Sequence, residues 1–276
     1  MSEQTTLVLG GTGRTGRRVA ERLRGRGLPV RVGSRGGAPP FDWEDRTTWE
    51  PALRGARAAY TTYYPDLAVP GAPAAIGAFA DLAVKLGVRR LVLLSGRGEV
   101  EAERAEEVLR ATEADWTIVR ASWFAQNFSE HFFLEPVRAG ELALPVRDVP
   151  EPFIDVEDIA DVATAALTED GHVGRLYEVT GPRLLTFQEA VEEIARAIGR
   201  PVRFVFVPME DFAAGLAEAG VPDDVISLLR YIFTEVLDGR NAHVNDGVRE
   251  ALGREPGDFR DYARRAAATG VWNGAR

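Results

Sequence analysis

Four glycines fall within seven residues, Gly10, Gly11, Gly13 and Gly16, inside the stretch TTLVLGGTGRTGRR at 5 to 18. Residues without a Cβ let backbone N–H groups approach a pyrophosphate at the positive end of a helix. The chemistry such a turn serves is dinucleotide binding. Two spacings fit at once, Gly11-x-Gly13-x-x-Gly16 and Gly10-x-x-Gly13-x-x-Gly16. The turn offers Gly10, Thr12, Gly13, Arg14, Thr15 and Gly16 as cofactor contacts. About 20 residues past such glycines an NAD-binding chain carries Asp or Glu for the ribose 2′-hydroxyl. Here Gly33-Ser34-Arg35 stands at that point. A hydroxyl and a guanidinium would bind a 2′-phosphate that a carboxylate would repel, so NADPH/NADP+ is expected over NADH.

These residues need a scaffold. Thr5 to Leu9 is a continuous apolar and β-branched run, which reads as a buried parallel strand. Val19, Ala20 and Leu23 then alternate with Arg17, Arg18, Glu21 and Arg22 at helical spacing. Leu28 to Gly33 reads as a second strand, Phe41-Asp42-Trp43 lies where a third is expected, and Ala56 to Thr62 reads as a fourth. Asp42 and Trp43 would meet the adenine; Thr61, Thr62 and Tyr63, at a carboxyl edge, would meet the nicotinamide side. Tyr63 and Tyr64 serve equally well as loop aromatics packed on the protein. Ala72 to Leu86 is helical, and Arg89 to Leu94 is a fifth strand whose outgoing loop begins at Ser95. The Glu99, Glu101 and Glu103 run suits a helix start with a solvated face. Trp116 to Arg120 is a sixth strand, followed by the dense aromatic loop Ser122 to Phe128. This alternation predicts an α/β fold: a Rossmann-type doubly wound parallel sheet with a smaller C-terminal α/β substrate-binding region. The expected spans are 1–150 and 151–276, partly interleaved. A strand at Leu176 to Val179, a capping box at Thr186 and Glu189, a strand at 202–207 and a last helix from Phe259 to Ala268 complete the reading. The apolar helical segment 209–238 serves as core, lid or subunit interface, the last of which would make a homodimer.

The totals exclude other classes. There is no cysteine, and His131, His172 and His243 match no zinc spacing, so no metal site is expected. A net charge of −9 argues against nucleic-acid binding. No apolar run spans a membrane and no secretory leader is recognisable, so a cytoplasmic protein with a small-molecule substrate is expected.

With these motifs placed, the chain resembles the NmrA-like, atypical short-chain dehydrogenase/reductases over nearly its whole length. Within them it is most similar to the ergot-alkaloid group, the festuclavine and agroclavine dehydrogenases. The resemblance rests on GGTGRTG at 10 to 16, FDW at 41 to 43, LVLLS at 91 to 95 and WFAQNF at 123 to 128. PFIDVEDIADVA at 152 to 163, GPRLLTFQEA at 181 to 190, LGREPGDFRDYA at 252 to 263 and Val271-Trp272 extend it. The glycine motif is shared by a very large superfamily; WFAQNF and the closing segment are more specific. The wider family includes quinone reductases, triphenylmethane dye reductases and non-catalytic redox sensors, so the resemblance implies the cofactor better than the substrate.

Ordinary short-chain dehydrogenases protonate a carbonyl oxygen with a Tyr-x-x-x-Lys pair. Lys85 is the only lysine of this chain, and the helix after Ser95 carries neither Tyr nor Lys, so the pair is absent. The acceptor is then expected to be electrophilic already, an imine, iminium or quinone-like molecule, aromatic or heterocyclic. The other reading is a non-catalytic NADP(H) sensor. Ser95 and Tyr63 are the candidate catalytic side chains, and Trp123, Phe124, Asn127 and Phe128 the candidate substrate slot.

Overall fold

The structure is a computed structural model that describes residues 5–273. The chain divides into two compact units. The first takes the residues up to Ala121, Val156–Val179 and Asp246–Glu255; the second takes Ser122–Asp155, Thr180–Asn245 and the residues from Pro256 on. The division therefore differs from a cut at 150: the aromatic loop goes to the second unit, and a helix and strand beyond 150 return to the first.

The first unit is built on a six-stranded sheet, every pairing parallel. Its strands are β1 (Thr5–Leu9), β2 (Val30–Gly33), β3 (Ala56–Thr61), β4 (Arg90–Gly96) and β5 (Asp115–Ala121). Two strands follow them in the chain, β6 (Glu141–Leu144) and β7 (Arg175–Val179), and only β7 joins this sheet, beside β5. The order is β2-β1-β3-β4-β5-β7, with the change of direction between β1 and β3. Successive residues face opposite sides. Leu7, Leu9, Ala59, Leu91 and Leu93 share a core with Ile76, Phe79 and Leu109 of the helices Ala72–Lys85 and Val100–Arg110. On the chain's other helices of this unit, Arg14–Gly25 packs on Val156–Thr168. Arg18 and Arg22 hold Glu157 and Asp161 there at 2.5 and 2.6 Å.

The strand expected at Phe41-Asp42-Trp43 is not formed. Pro39 and Pro40 lack the N–H groups a ladder needs. Phe41 and Trp43 instead turn inward onto Trp49 and Phe79, with ring centroids 5.3 to 6.4 Å apart. β2 is thus the edge of the sheet.

In the second unit β6 pairs in parallel with β8 (Arg203–Phe206). Thr186 and Glu189 cap the helix Phe187–Ile198 reciprocally, as the capping box predicts. Its core is aromatic: Phe128, Phe133, Phe153, Phe187, Phe259, Tyr262 and Trp272 are all buried. The apolar segment expected to be helical over 209–238 forms Met209–Glu218 and Asp223–Tyr231, with a wider final turn at Ile232–Val236.

Candidate functional site

β1 ends at Leu9 and the chain reverses through Gly10, whose φ of +60° suits glycine. The Gly10 N–H donates to the Gly33 carbonyl at 3.0 Å, and the Gly13 N–H donates to the Gly10 carbonyl at 2.8 Å. Gly13 is the last residue before the helix Arg14–Gly25; it has no side chain to cap the first turn, and no carboxylate stands in that turn. The positive end of the helix is therefore left for an external anion. A methyl group on Gly16 would lie 2.3 Å from the Gly10 carbonyl oxygen and 2.9 Å from the Gly11 Cα. One on Gly13 would meet only the Gly10 oxygen, at 3.2 Å. Gly16 thus lets the helix close on the turn. Gly10, Thr12 and Gly13 are exposed, Arg14 is partly buried, and Thr15 is buried.

At the end of β2 the Ser34 carbonyl accepts from the N–H groups of Gly37 and Phe41, both at 2.9 Å. That turn carries Arg35 out to solvent, with its guanidinium 5.4 Å from the ring centre of Tyr64. The Asp42 carboxylate accepts from the Glu44 N–H at 3.1 Å, and its carbonyl accepts from the Trp49 indole at 2.8 Å. The Trp43 indole N–H donates to the Thr62 carbonyl at 3.0 Å, tying this loop to the end of β3. Thr61 is buried, and the Thr62 hydroxyl reaches the Leu9 carbonyl at 3.4 Å. Tyr63 leans on Trp43, 5.0 Å between centroids. Burial, then the charge of Glu44, raises its phenol above the ordinary tyrosine value, so the phenol stays protonated.

Ser95 is not a loop residue. It belongs to β4, is buried, and its hydroxyl donates to Glu106 Oε1 at 2.6 Å. Glu106 is 1% exposed and also accepts from Arg120 Nε at 2.9 Å. The hydroxyl proton is thus committed to a buried carboxylate, and Ser95 lies within the strand rather than in the loop expected for it.

The same edge holds two carboxyls that sequence reasoning missed. Glu99 folds back on Gly96, where a Cβ would lie 2.3 Å from its Oε2. Its carboxyl is held well above the ordinary glutamate value by burial, then by the charges of Asp66 and Glu106. Asp66, in the loop after β3, is raised by burial, against the Ala68 N–H and the charge of Arg14. The charge run at 99 to 103 looked like a solvated face; the signal that Glu99 differs is Gly96, three residues before it at the strand end.

In the second unit Phe128 is wholly buried, ringed by Phe133, Phe153, Phe187 and Phe259 at 5.2 to 6.2 Å. It offers no face to a ligand, so its place in the expected slot is corrected to core. Trp123 is partly buried against Phe133, Phe187 and Phe233. Phe124 and Asn127 are partly buried, with Asn127 opening the short helix Asn127–Glu130.

Residues 102–256 match the NmrA-like family. The chain belongs to this family. Agroclavine dehydrogenase of Claviceps fusiformis is 30% identical over 94% of this chain and 96% of its own length. The (4-alkanoyl-5-oxo-2,5-dihydrofuran-3-yl)methyl phosphate reductase of Streptomyces griseus is 33% identical over 93% of this chain and 96% of its own. Among solved structures, an NADPH-dependent quinone oxidoreductase from Escherichia coli, complexed with NADPH, superposes with a TM-score of 0.79. It is 19% identical and covers 95% of this chain and 99% of its own, which makes the shared Rossmann-like fold the common ground. With relatives of this kind, the chain is an oxidoreductase.

Proposed function

We propose that this protein is an NADPH-dependent reductase of a small, activated acceptor of the imine, iminium or quinone-like kind. The observation that carries the reading is the Gly10–Gly16 turn. The helix Arg14–Gly25 reaches the end of β1 only because Gly16 has no Cβ, and its first turn holds neither a side-chain cap nor a carboxylate. Such a cradle fits a pyrophosphate. Gly10, Thr12, Gly13, Arg14, Thr15 and Gly16 would hold it, and Ser34 with Arg35 would hold a 2′-phosphate. Asp42, Trp43, Thr61, Thr62 and Tyr63 would line the rest of the cofactor's path. NADPH, when bound, supplies the hydride. The relatives named as reductases and dehydrogenases support the reaction class.

Positioning is the protein's main contribution. Lys85 is the one lysine of the sequence and Asp81 stands four residues before it, so the sequence holds no Tyr-x-x-x-Lys motif. Trp123, Phe124 and Asn127 are the proposed acceptor contacts. NADPH oxidation with a panel of cyclic imines, quinones and triphenylmethane dyes tests this: turnover of at least one class is expected. Tight NADPH binding with no turnover of any class would favour an NADP(H) sensor instead.

A further inference from the structure

Resting on that reading, we infer that Tyr64 is a positioning residue for the cofactor: its ring holds the Arg35 guanidinium beside the glycine turn, ready for a 2′-phosphate, and so strengthens the preference for NADPH over NADH. Arg35 stands two residues past the end of β2, and Tyr64 three residues past the end of β3. β1 lies between those two strands, and the glycine turn begins where β1 ends. Neighbouring strands run about 4.8 Å apart, so a contact from one loop to the other spans the carboxyl end of β1. The Arg35 guanidinium makes that contact, 5.4 Å from the centre of the Tyr64 ring.

Two features separate this pair from ordinary surface packing. Tyr64 is 68% exposed, so its ring fills no core, whereas Tyr63 beside it leans on Trp43. Arg35, among the described residues, donates no hydrogen bond and makes no ion pair. Other arginines of the same unit are engaged: Arg31 donates to the Ala52 and Arg54 carbonyls, and Arg18 and Arg22 hold carboxylates.

A carboxylate partner would neutralise the guanidinium and compete with a phosphate for its N–H groups. An aromatic face attracts the cation and leaves its charge intact. The long side chain is restricted before the ligand arrives, which reduces the ordering that binding would otherwise impose. A 2′-phosphate is the group that matches, because its oxygens accept charge-assisted bonds from a guanidinium. The 2′-hydroxyl of NADH brings no charge to that place. The contribution of Tyr64 therefore falls on the phosphorylated nucleotide alone, and it acts through Arg35.

Calorimetric titrations with NADPH and with NADH test this on the wild type, Tyr64→Leu, Tyr64→Phe, Arg35→Ala and the double variant Arg35→Ala with Tyr64→Leu. Tyr64→Leu is expected to weaken NADPH by about threefold to fivefold, the range of an exposed cation–π contact, with NADH unchanged. Tyr64→Phe keeps the aromatic face and keeps the wild-type affinity for both. Once Arg35 is alanine, adding Tyr64→Leu has no further effect on NADPH. Equal losses for NADPH and NADH would make Tyr64 a direct contact of the part the two nucleotides share, and would overturn the assignment. An unchanged NADPH affinity in Tyr64→Leu, or a loss that persists without Arg35, overturns it as well. All three outcomes leave the reductase reading intact. A wild type that binds neither nucleotide removes that reading, and the assignment with it.

Discussion

At the glycine turn, side chains are missing so that the backbone can be reached; in the segment 122–128, side chains are abundant and most are occupied with one another. Gly16 has the Gly10 carbonyl where its Cβ would be, whereas Phe128 has four aromatic rings around it. The two regions carry opposite kinds of evidence. A glycine demanded by a close backbone approach has few alternative explanations. An aromatic cluster is explained as well by a core as by a ligand slot, and burial decides. Here it assigns Phe128 to the core, while Trp123 and Phe124, only partly buried, remain proposed acceptor contacts.

The comparison can be broken by mutation. The largest effect is expected at Gly16→Val, whose added carbons collide with the Gly10 carbonyl: NADPH binding followed by calorimetry should be lost, while Gly13→Ala, with only a 3.2 Å contact, should be far milder. Equal losses at the two positions would mean that the helix does not need to close on the turn. Next comes Phe128→Ala, which should cost about 3–5 kcal/mol of stability by denaturant unfolding. Phe124→Ala, by contrast, should leave stability nearly intact and raise the KM for the acceptor. A Phe128 variant of wild-type stability would put that ring in a slot after all.

Arg35→Asp comes third. Loss of a charge-assisted contact should weaken NADPH by about 1.5–3 kcal/mol and leave NADH little affected. Parallel losses for both nucleotides would place Arg35 in bulk solvent. Smallest is Ser95→Ala: its hydroxyl serves Glu106, which retains Arg120, so about 1 kcal/mol of stability and less than tenfold in turnover are expected. A rate loss near 1000-fold would restore Ser95 to the chemistry.

Much of the fold was legible because its signals are local. Apolar runs such as Leu7-Val8-Leu9 and Leu91-Val92-Leu93, each closed by a turn, specify buried parallel strands, and Thr186 with Glu189 marks a helix start. What was missed depends on long-range placement. Phe41-Asp42-Trp43 has strand composition, but two prolines and an aromatic cluster remote in sequence hold it as a loop. The return of Val156–Val179 to the first sheet follows from pairing between β5 and β7, which no local pattern announces. Ser95 and Glu99 sit differently from their sequence reading because the groups that act on them, Glu106 and Asp66, lie 11 and 33 residues away in the chain. A serine at a strand end looks exposed and a glutamate at a helix start looks solvated until those groups are in place.

The central claim is that the Gly10–Gly16 turn and the Ser34-Arg35 end together hold a phosphorylated dinucleotide. Calorimetric titration of the wild-type protein with NADPH and with NADH tests it most directly. Saturable binding is predicted for NADPH, at least about tenfold tighter than for NADH, a difference of roughly 1.4 kcal/mol. No detectable binding of either nucleotide, or a preference for NADH, would contradict it.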